Sequence, residues 1–288
     1  MSTQISPEWW DWIKISLDRG CSKESMIQVM MQNHFNQNEA ENYIGEVSSG
    51  LISKEEKFPN LKNTHTEYKY EKSFIPDENT ILLSDRIVKV ACRLNKPDIV
   101  LIDGFMSSKE CEMLIEDSRN RLTPSTVANL QTGSRELHPG RTSEQMSYQI
   151  KETALIDTIE HRISQLLNLP IERGEGIQIL HYQPGQEYRP HYDYFKESHS
   201  ASSTFIGKSG QRICTFIMYL NDVEAGGETV FPEINLSVAP KRGSAIYFSY
   251  CNSLNQLDTQ TIHGGAPVIQ GEKWIATKWI RKNLISKQ

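Results

Sequence analysis

The stretch Tyr188-Arg189-Pro190-His191-Tyr192-Asp193-Tyr194-Phe195 is rich in aromatic residues, and its proline disfavours a helix across it. An extended strand is the conformation it predicts. Strand side chains alternate with a period of two, so His191 and Asp193 are expected on one face. Taken alone the pair means little, because surface loops carry His-X-Asp by chance. His263, in Thr259-Gln260-Thr261-Ile262-His263-Gly264-Gly265, lies far enough downstream to come from a different strand. Two imidazoles and one carboxylate on a triangular face leave the opposite coordination positions open, which is the donor set that suits non-haem Fe(II). Lys273 follows ten residues after His263, in Gly271-Glu272-Lys273-Trp274. A cation there could hold the distal carboxylate of a keto-acid whose other end chelates the metal.

Outward from that stretch, the chain alternates short strands with turn signals. Ile177 to Tyr182 precedes a Gln183-Pro184-Gly185 turn, and Arg212 to Leu220 reads as a buried strand ending at Asn221-Asp222. Ser244 to Tyr250 and Trp274 to Ile280 follow. Many short strands at this spacing predict a sandwich or barrel. Upstream, Asp85 to Leu94 and Pro97 to Phe105 read as strands. Ser107 with Glu110 forms a capping box that should start a helix running to about Asn120. A second helix is expected from Glu152 to about Leu167, with Leu155, Ile159, Ile163 and Leu166 on one face. Two helices ahead of a strand-rich stretch suggest helices packed on one face of a sheet.

The first 50 residues read differently. Ser6-Pro7-Glu8 is a helix start, with Trp9, Ile13 and Leu17 on one face and Gly20 as the expected stop. A second helix is expected after Ser22, with Met26 and Met30 as core, and a third near Asn36, carrying Ala40, Tyr43 and Ile44. Through the Leu17-Asp18-Arg19-Gly20 turn and its helix spacing, this bundle resembles ubiquitin-associated-type bundles. Either a docking module or a bundle packed on the remaining domain is consistent with it. Residues 51–76 are polar and rich in Lys and Glu, the composition of a linker or wrapping segment.

The 288 residues carry a net charge of −5, which gives no overall reason to expect a nucleic-acid partner. No apolar run approaches the ~20 residues that span a bilayer, and the start lacks the pattern of a signal peptide, so no membrane and a cytoplasmic location are expected. Five scattered cysteines, none in a C-x-x-C pair, argue against a disulfide framework and a zinc cluster. Cys214 is expected to act as a small buried hydrophobe.

Four elements occur in a fixed order: His191-Tyr192-Asp193, then Gly226-Gly227-Glu228-Thr229, then His263, then Lys273-Trp274 with Lys278-Trp279. On these motifs the chain, from about Arg141 to Arg281, resembles the catalytic domain of the prolyl 4-hydroxylases, within the Fe(II)/2-oxoglutarate dioxygenases. The resemblance implies an α+β fold: a double-stranded β-helix (jelly roll) core over about 175–283 within a dioxygenase domain at 77–288, preceded by the helical bundle at 1–50. It implies Fe(II) held by His191, Asp193 and His263, with 2-oxoglutarate and O2 as cosubstrates and ascorbate as reductant. Lys273, Tyr182 and Thr229 match the residues that hold the cosubstrate. Arg212, Trp279, Arg141 and Tyr192 fall on the substrate side. The implied reaction is hydroxylation of prolyl residues in a protein or peptide, with release of succinate and CO2.

Two departures bear on the substrate. Arg141-Thr142-Ser143 matches the family's strand opening beside the groove, where a glycine and an aromatic usually follow, but here Glu144-Gln145-Met146-Ser147-Tyr148 follows, without the glycine. Arg281 stands where several prolyl hydroxylases have a histidine. These keep open the same chemistry on a free amino acid or other small molecule. A non-catalytic jelly roll that only binds metal or ligand is the third reading, although no ligand or lysine is missing. The Ser-rich run Lys196 to Gln211 is expected to be a lid over the substrate. His181 points away from Tyr182 on its strand and is expected to be structural. Neither the substrate nor the oligomeric state follows from the sequence.

Overall fold

A computed structural model describes residues 5–18, 21–50, 52, 57–58, 67–129, 132–196 and 202–285. The expected stop at Gly20, the Arg19-Gly20 turn, most of the 51–66 stretch and Glu197 to Ala201 of the expected lid lie outside these residues. The chain divides into two compact units, Met1–Glu67 and Tyr68–Gln288. No described helix is long and apolar enough to cross a membrane.

In the first unit, helices α1 (Pro7–Asp18), α2 (Lys23–Gln32) and α3 (Gln37–Ser49) form a bundle. Ser22 caps α2, and Asn36 with Glu39 forms a full capping box at α3, each satisfying amides that a helix start leaves open. The core is Trp10, Ile13, Met26, Met30, Ala40 and Ile44, whereas Met31 stays half exposed.

The second unit holds β1 (Thr80–Leu82), β2 (Ile87–Asn95), β3 (Asp98–Asp103), β4 (Thr123–Pro124), β5 (Thr126–Ala128), β6 (Arg135–Leu137), β7 (Glu144–Ser147), β8 (Gln178–Tyr182) and β9 (Tyr188–His191). It continues with β10 (Arg212–Tyr219), β11 (Ala225–Gly226), β12 (Thr229–Phe231), β13 (Leu236–Val238), β14 (Ala245–Ser249), β15 (His263–Gly265), β16 (Val268–Gln270) and β17 (Lys273–Arg281). Helices α4 (Ser108–Arg119) and α5 (Ala154–Leu167) interrupt the strands, and a short α6 (Ser202–Ile206) follows β9. Nine strands form one antiparallel sheet in the order β1-β2-β3-β14-β10-β17-β8-β7-β4, and β13-β12-β15-β9 form a second. This is an α+β jelly roll.

The central strand β10 is buried at every position from Arg212 to Tyr219. A sheet strand loses its polar face only when both faces are covered. Here Phe248 of the large sheet meets Phe231 of the small one at 5.2 Å on one side. On the other side, α4 and α5 bury Cys111, Leu114, Ile156, Ile159 and Ile163 in the same core. Cys214 is fully buried, as its setting predicts. Tyr68 to Pro76 also belongs to this unit: Tyr70 donates to Gln260 at 2.8 Å and Ile75 sits in the core. The two glycines ahead of Thr229 serve the crossing of β11 and β16. Gly226 has a φ of 75°, and a Cβ there would lie 2.4 Å from the Pro267 carbonyl oxygen, so only glycine fits.

Candidate metal centre and its two cavities

Strands β9 and β15 pair antiparallel with His191 directly opposite His263. That register brings two residues far apart in sequence onto neighbouring strands. One ligand atom each from His191, Asp193 and His263 lies within 4.8 Å of the others, and no other such group of three occurs among the described residues. Asp193 differs from the sequence expectation in one respect. The strand ends at His191, and Asp193 sits in a bend just beyond it. Pairing with β15 stops at His191, and the chain turns inward, where Arg212 donates to the Asp193 carbonyl at 3.2 Å.

The protonation of the cluster follows from its hydrogen bonds. His191 Nδ1 lies 3.0 Å from the Arg189 carbonyl and His263 Nδ1 lies 3.0 Å from the Thr261 carbonyl. A carbonyl only accepts, so each Nδ1 carries the proton and each Nε2 is left as a lone-pair donor. Both Nε2 atoms face Asp193, at 3.6 Å and 3.4 Å. Burial alone would raise the Asp193 carboxyl, but the two imidazoles that face it outweigh burial and hold it well below the usual carboxylate range, so it is ionised. Burial, and then the neighbouring His263, pull His191 below its ordinary value. Neutral imidazoles beside an ionised carboxylate are what a divalent metal requires. The residues present therefore fit Fe(II). Thr215 donates to Asp193 Oδ2 at 2.6 Å and is itself 3.0 Å from the Tyr250 hydroxyl, so the carboxylate is oriented from behind.

Two cavities meet at this cluster, and His191 and Asp193 line both. The smaller one runs behind His263 to Lys273, between Tyr182, Thr229, Ile217 and Ile275. Lys273 and Tyr182 are direct cross-strand partners on β17 and β8. Lys273 is 2% exposed, and burial pulls its ammonium down to about 8 against the opposing pull of Glu228. No carboxylate among the described residues lies within ion-pairing distance of it. Tyr182, raised chiefly by burial, stays a neutral phenol that can donate. Thr229 accepts from Tyr219 at 2.8 Å, which leaves its own proton for an acceptor in the cavity. His181, on the same strand as Tyr182, lies between Glu144 (3.1 Å) and Glu272 (2.9 Å) and stacks on Trp274. It takes no part in the cavity.

The larger cavity is a groove of about 650 Å³, walled by the β5–β6 hairpin and floored by Arg141, Arg212 and Trp279. Arg141 donates to the Thr126 carbonyl and to Gln178, both at 2.9 Å. Arg212 forms a two-pronged pair with Glu175 at 2.7 and 2.8 Å and lies 4.0 Å over the Trp279 ring. Arg281 binds the same Glu175 at 2.6 Å and also donates to the Phe205 and Gly210 carbonyls. Tyr192 lines the groove and stacks on Tyr194 at 4.7 Å. Sequence reasoning missed Thr215, Tyr250, Glu175 and the hairpin. A buried strand threonine and a lone glutamate carry no local signal. The hairpin's Thr126 to Leu137 stretch alternates too weakly to announce itself.

Residues 177–281 match the family model of the 2OG-Fe(II) oxygenase superfamily. The chain is similar to probable prolyl 4-hydroxylase 3 of Arabidopsis thaliana, 38% identical over 204 residues that cover 64% of this chain and 69% of the relative. Prolyl 4-hydroxylase 1 of the same plant is 36% identical over 242 residues, covering 78% and 84%. Among solved structures, viral collagen prolyl hydroxylase vCPH from Paramecium Bursaria Chlorella virus-1, in its 2OG complex, superposes with a TM-score of 0.50. It is 31% identical, and the match covers 64% of this chain and 95% of that one.

Proposed function

The chain belongs to the prolyl 4-hydroxylases of the 2OG-Fe(II) oxygenase superfamily, and we propose that it hydroxylates prolyl residues of a protein or peptide at the His191-Asp193-His263 cluster. The observation that carries this is one metal-binding cluster opening on two cavities of different chemistry. One ends in a buried lysine with no carboxylate partner among the described residues, and the other is an aromatic-lined groove.

Fe(II) bound by His191 Nε2, Asp193 and His263 Nε2 supplies oxidative decarboxylation of 2-oxoglutarate coupled to hydroxylation of a C–H bond. The chain's own residues do the rest. Lys273 Nζ neutralises the distal carboxylate of 2-oxoglutarate, and the Tyr182 and Thr229 hydroxyls donate to it. Ile217 and Ile275 keep that end of the cavity apolar, which strengthens the ion pair. In the groove, the aromatic lining of Tyr188, Tyr192, Phe195 and Trp279 suits an extended proline-rich segment. Trp279 Nε1 is buried and has no hydrogen-bond partner among the described residues. Arg212 holds the Asp193 end of the metal site against Glu175 and stiffens the groove floor. Incubation with Fe(II), 2-oxoglutarate, ascorbate and proline-rich peptides should add one oxygen atom to proline, read by mass spectrometry. Absence of that product with every proline-containing peptide sinks the reading.

Thr215 gives a sharper test of how the cluster is held. Thr215→Val keeps the side chain's shape but removes the donor to Asp193. Loss of an outer partner of a metal ligand lowers affinity about 10–100-fold. Co(II) titration of the variant should show a loss of that size, and Thr215→Ser should restore most of it. Unchanged Co(II) affinity in Thr215→Val would mean the hydroxyl does not orient the ligand.

A further inference from the structure

The groove is basic although the chain is acidic. Among the described lining residues six side chains are cationic and three are carboxylates, against a net charge of −5 for the whole chain. The carboxylates are already engaged. Asp193 belongs to the metal cluster, Glu175 is shared by Arg212 and Arg281, and Glu136 accepts from Asn129 at 2.9 Å. Arg141, 8% exposed, meets only uncharged oxygens. At the rim, Arg135 projects from the exposed hairpin strand β6 and has no carboxylate partner among the described residues. Arg189, its side chain 66% exposed, has one contact to Glu187 at 3.2 Å, through Nε alone. Arg189 stands two residues before His191, so a charge it recognises lies within a few residues of the reacting proline.

We infer that the peptide taken by this groove carries acidic side chains close to the target proline; this rests on the reading of the groove as the peptide site. Rim charges of this kind select partners and speed encounter, and salt weakens them. The test uses the full chain loaded anaerobically with Fe(II) and 2-oxoglutarate. Three fluorescent proline-rich peptides of equal length, flanked by Glu, Gln or Lys, are titrated and read by anisotropy. The Glu peptide should bind about tenfold more tightly than the Gln peptide and the Lys peptide most weakly, the differences shrinking as salt is raised. Arg135→Glu combined with Arg189→Glu should reverse the order, and both positions are exposed enough to be changed without loss of the fold. Equal affinity for the Glu and Gln peptides, or an order unchanged in the double variant, overturns the inference. If the peptides bind in the expected order but none gains oxygen on admission of air, the hydroxylase reading fails and the charge preference stands.

Discussion

Lys273→Met is expected to weaken 2-oxoglutarate binding by about 100-fold and, in the same protein, to raise the stability of the unliganded state. The first effect follows from removing the buried charge that meets the distal carboxylate. The second follows from what the lysine costs before that carboxylate arrives. It is 2% exposed, and burial lowers its ammonium from 10.5 to about 8. One pKa unit corresponds to about 1.4 kcal/mol, so the penalty near neutral pH is roughly 3 kcal/mol. The sign is checked by pH. Between about 8 and 10.5 the unfolded chain holds a proton on Lys273 that the folded chain has released, so the stability of the unliganded protein should rise with pH across that window. Cosubstrate affinity should move the opposite way, falling about tenfold per unit above pH 8 as the ammonium loses its charge. Both pH dependences should disappear in Lys273→Met. Thermal denaturation and anaerobic calorimetry of 2-oxoglutarate binding read them separately. A variant less stable than the parent at pH 7 would show that Lys273 is held by interactions other than the cosubstrate's.

His191→Ala should reduce prolyl hydroxylation by on the order of 10³-fold or more, because no neighbouring group replaces the lost Nε2. The fold should survive. His191 is the last residue of β9 with its side chain 21% exposed, so its removal leaves no buried void in the core. Binding to the folded state alone raises stability in proportion to RT ln(1 + [L]/Kd). The parent protein should therefore melt several degrees higher with Co(II) or Fe(II), and His191→Ala should show little of that shift. A variant that retains both the metal-induced shift and turnover would remove His191 from the metal site.

Much of this site was legible in the chain because chemistry restricts its residue types. His191, Asp193, His263 and Lys273 are brought to one place by two strand pairings, His191 opposite His263 and Lys273 opposite Tyr182. Tyr182 was readable only through the family resemblance, and alternation then set His181 on the other face of the same strand. The helix starts at Ser22, Ser107 and Asn36 were readable because caps act within four residues. What escaped was non-local. Glu175 matters only because β10 and β17 place Arg212 opposite Arg281. Thr215 matters only because the chain bends inward after His191, and a period-two reading of His-X-Asp kept Asp193 on the strand instead. The groove's charge is likewise a property of the assembled surface, hidden by an overall balance of opposite sign.

The most direct measurement is the fate of 18O2 in a single reaction containing Fe(II), 2-oxoglutarate and a proline-rich peptide. One 18O atom is expected in succinate and one in the hydroxyproline of the peptide, in equal amounts, with neither product formed by His191→Ala. Labelled succinate without labelled hydroxyproline, whatever proline peptide is supplied, would contradict it.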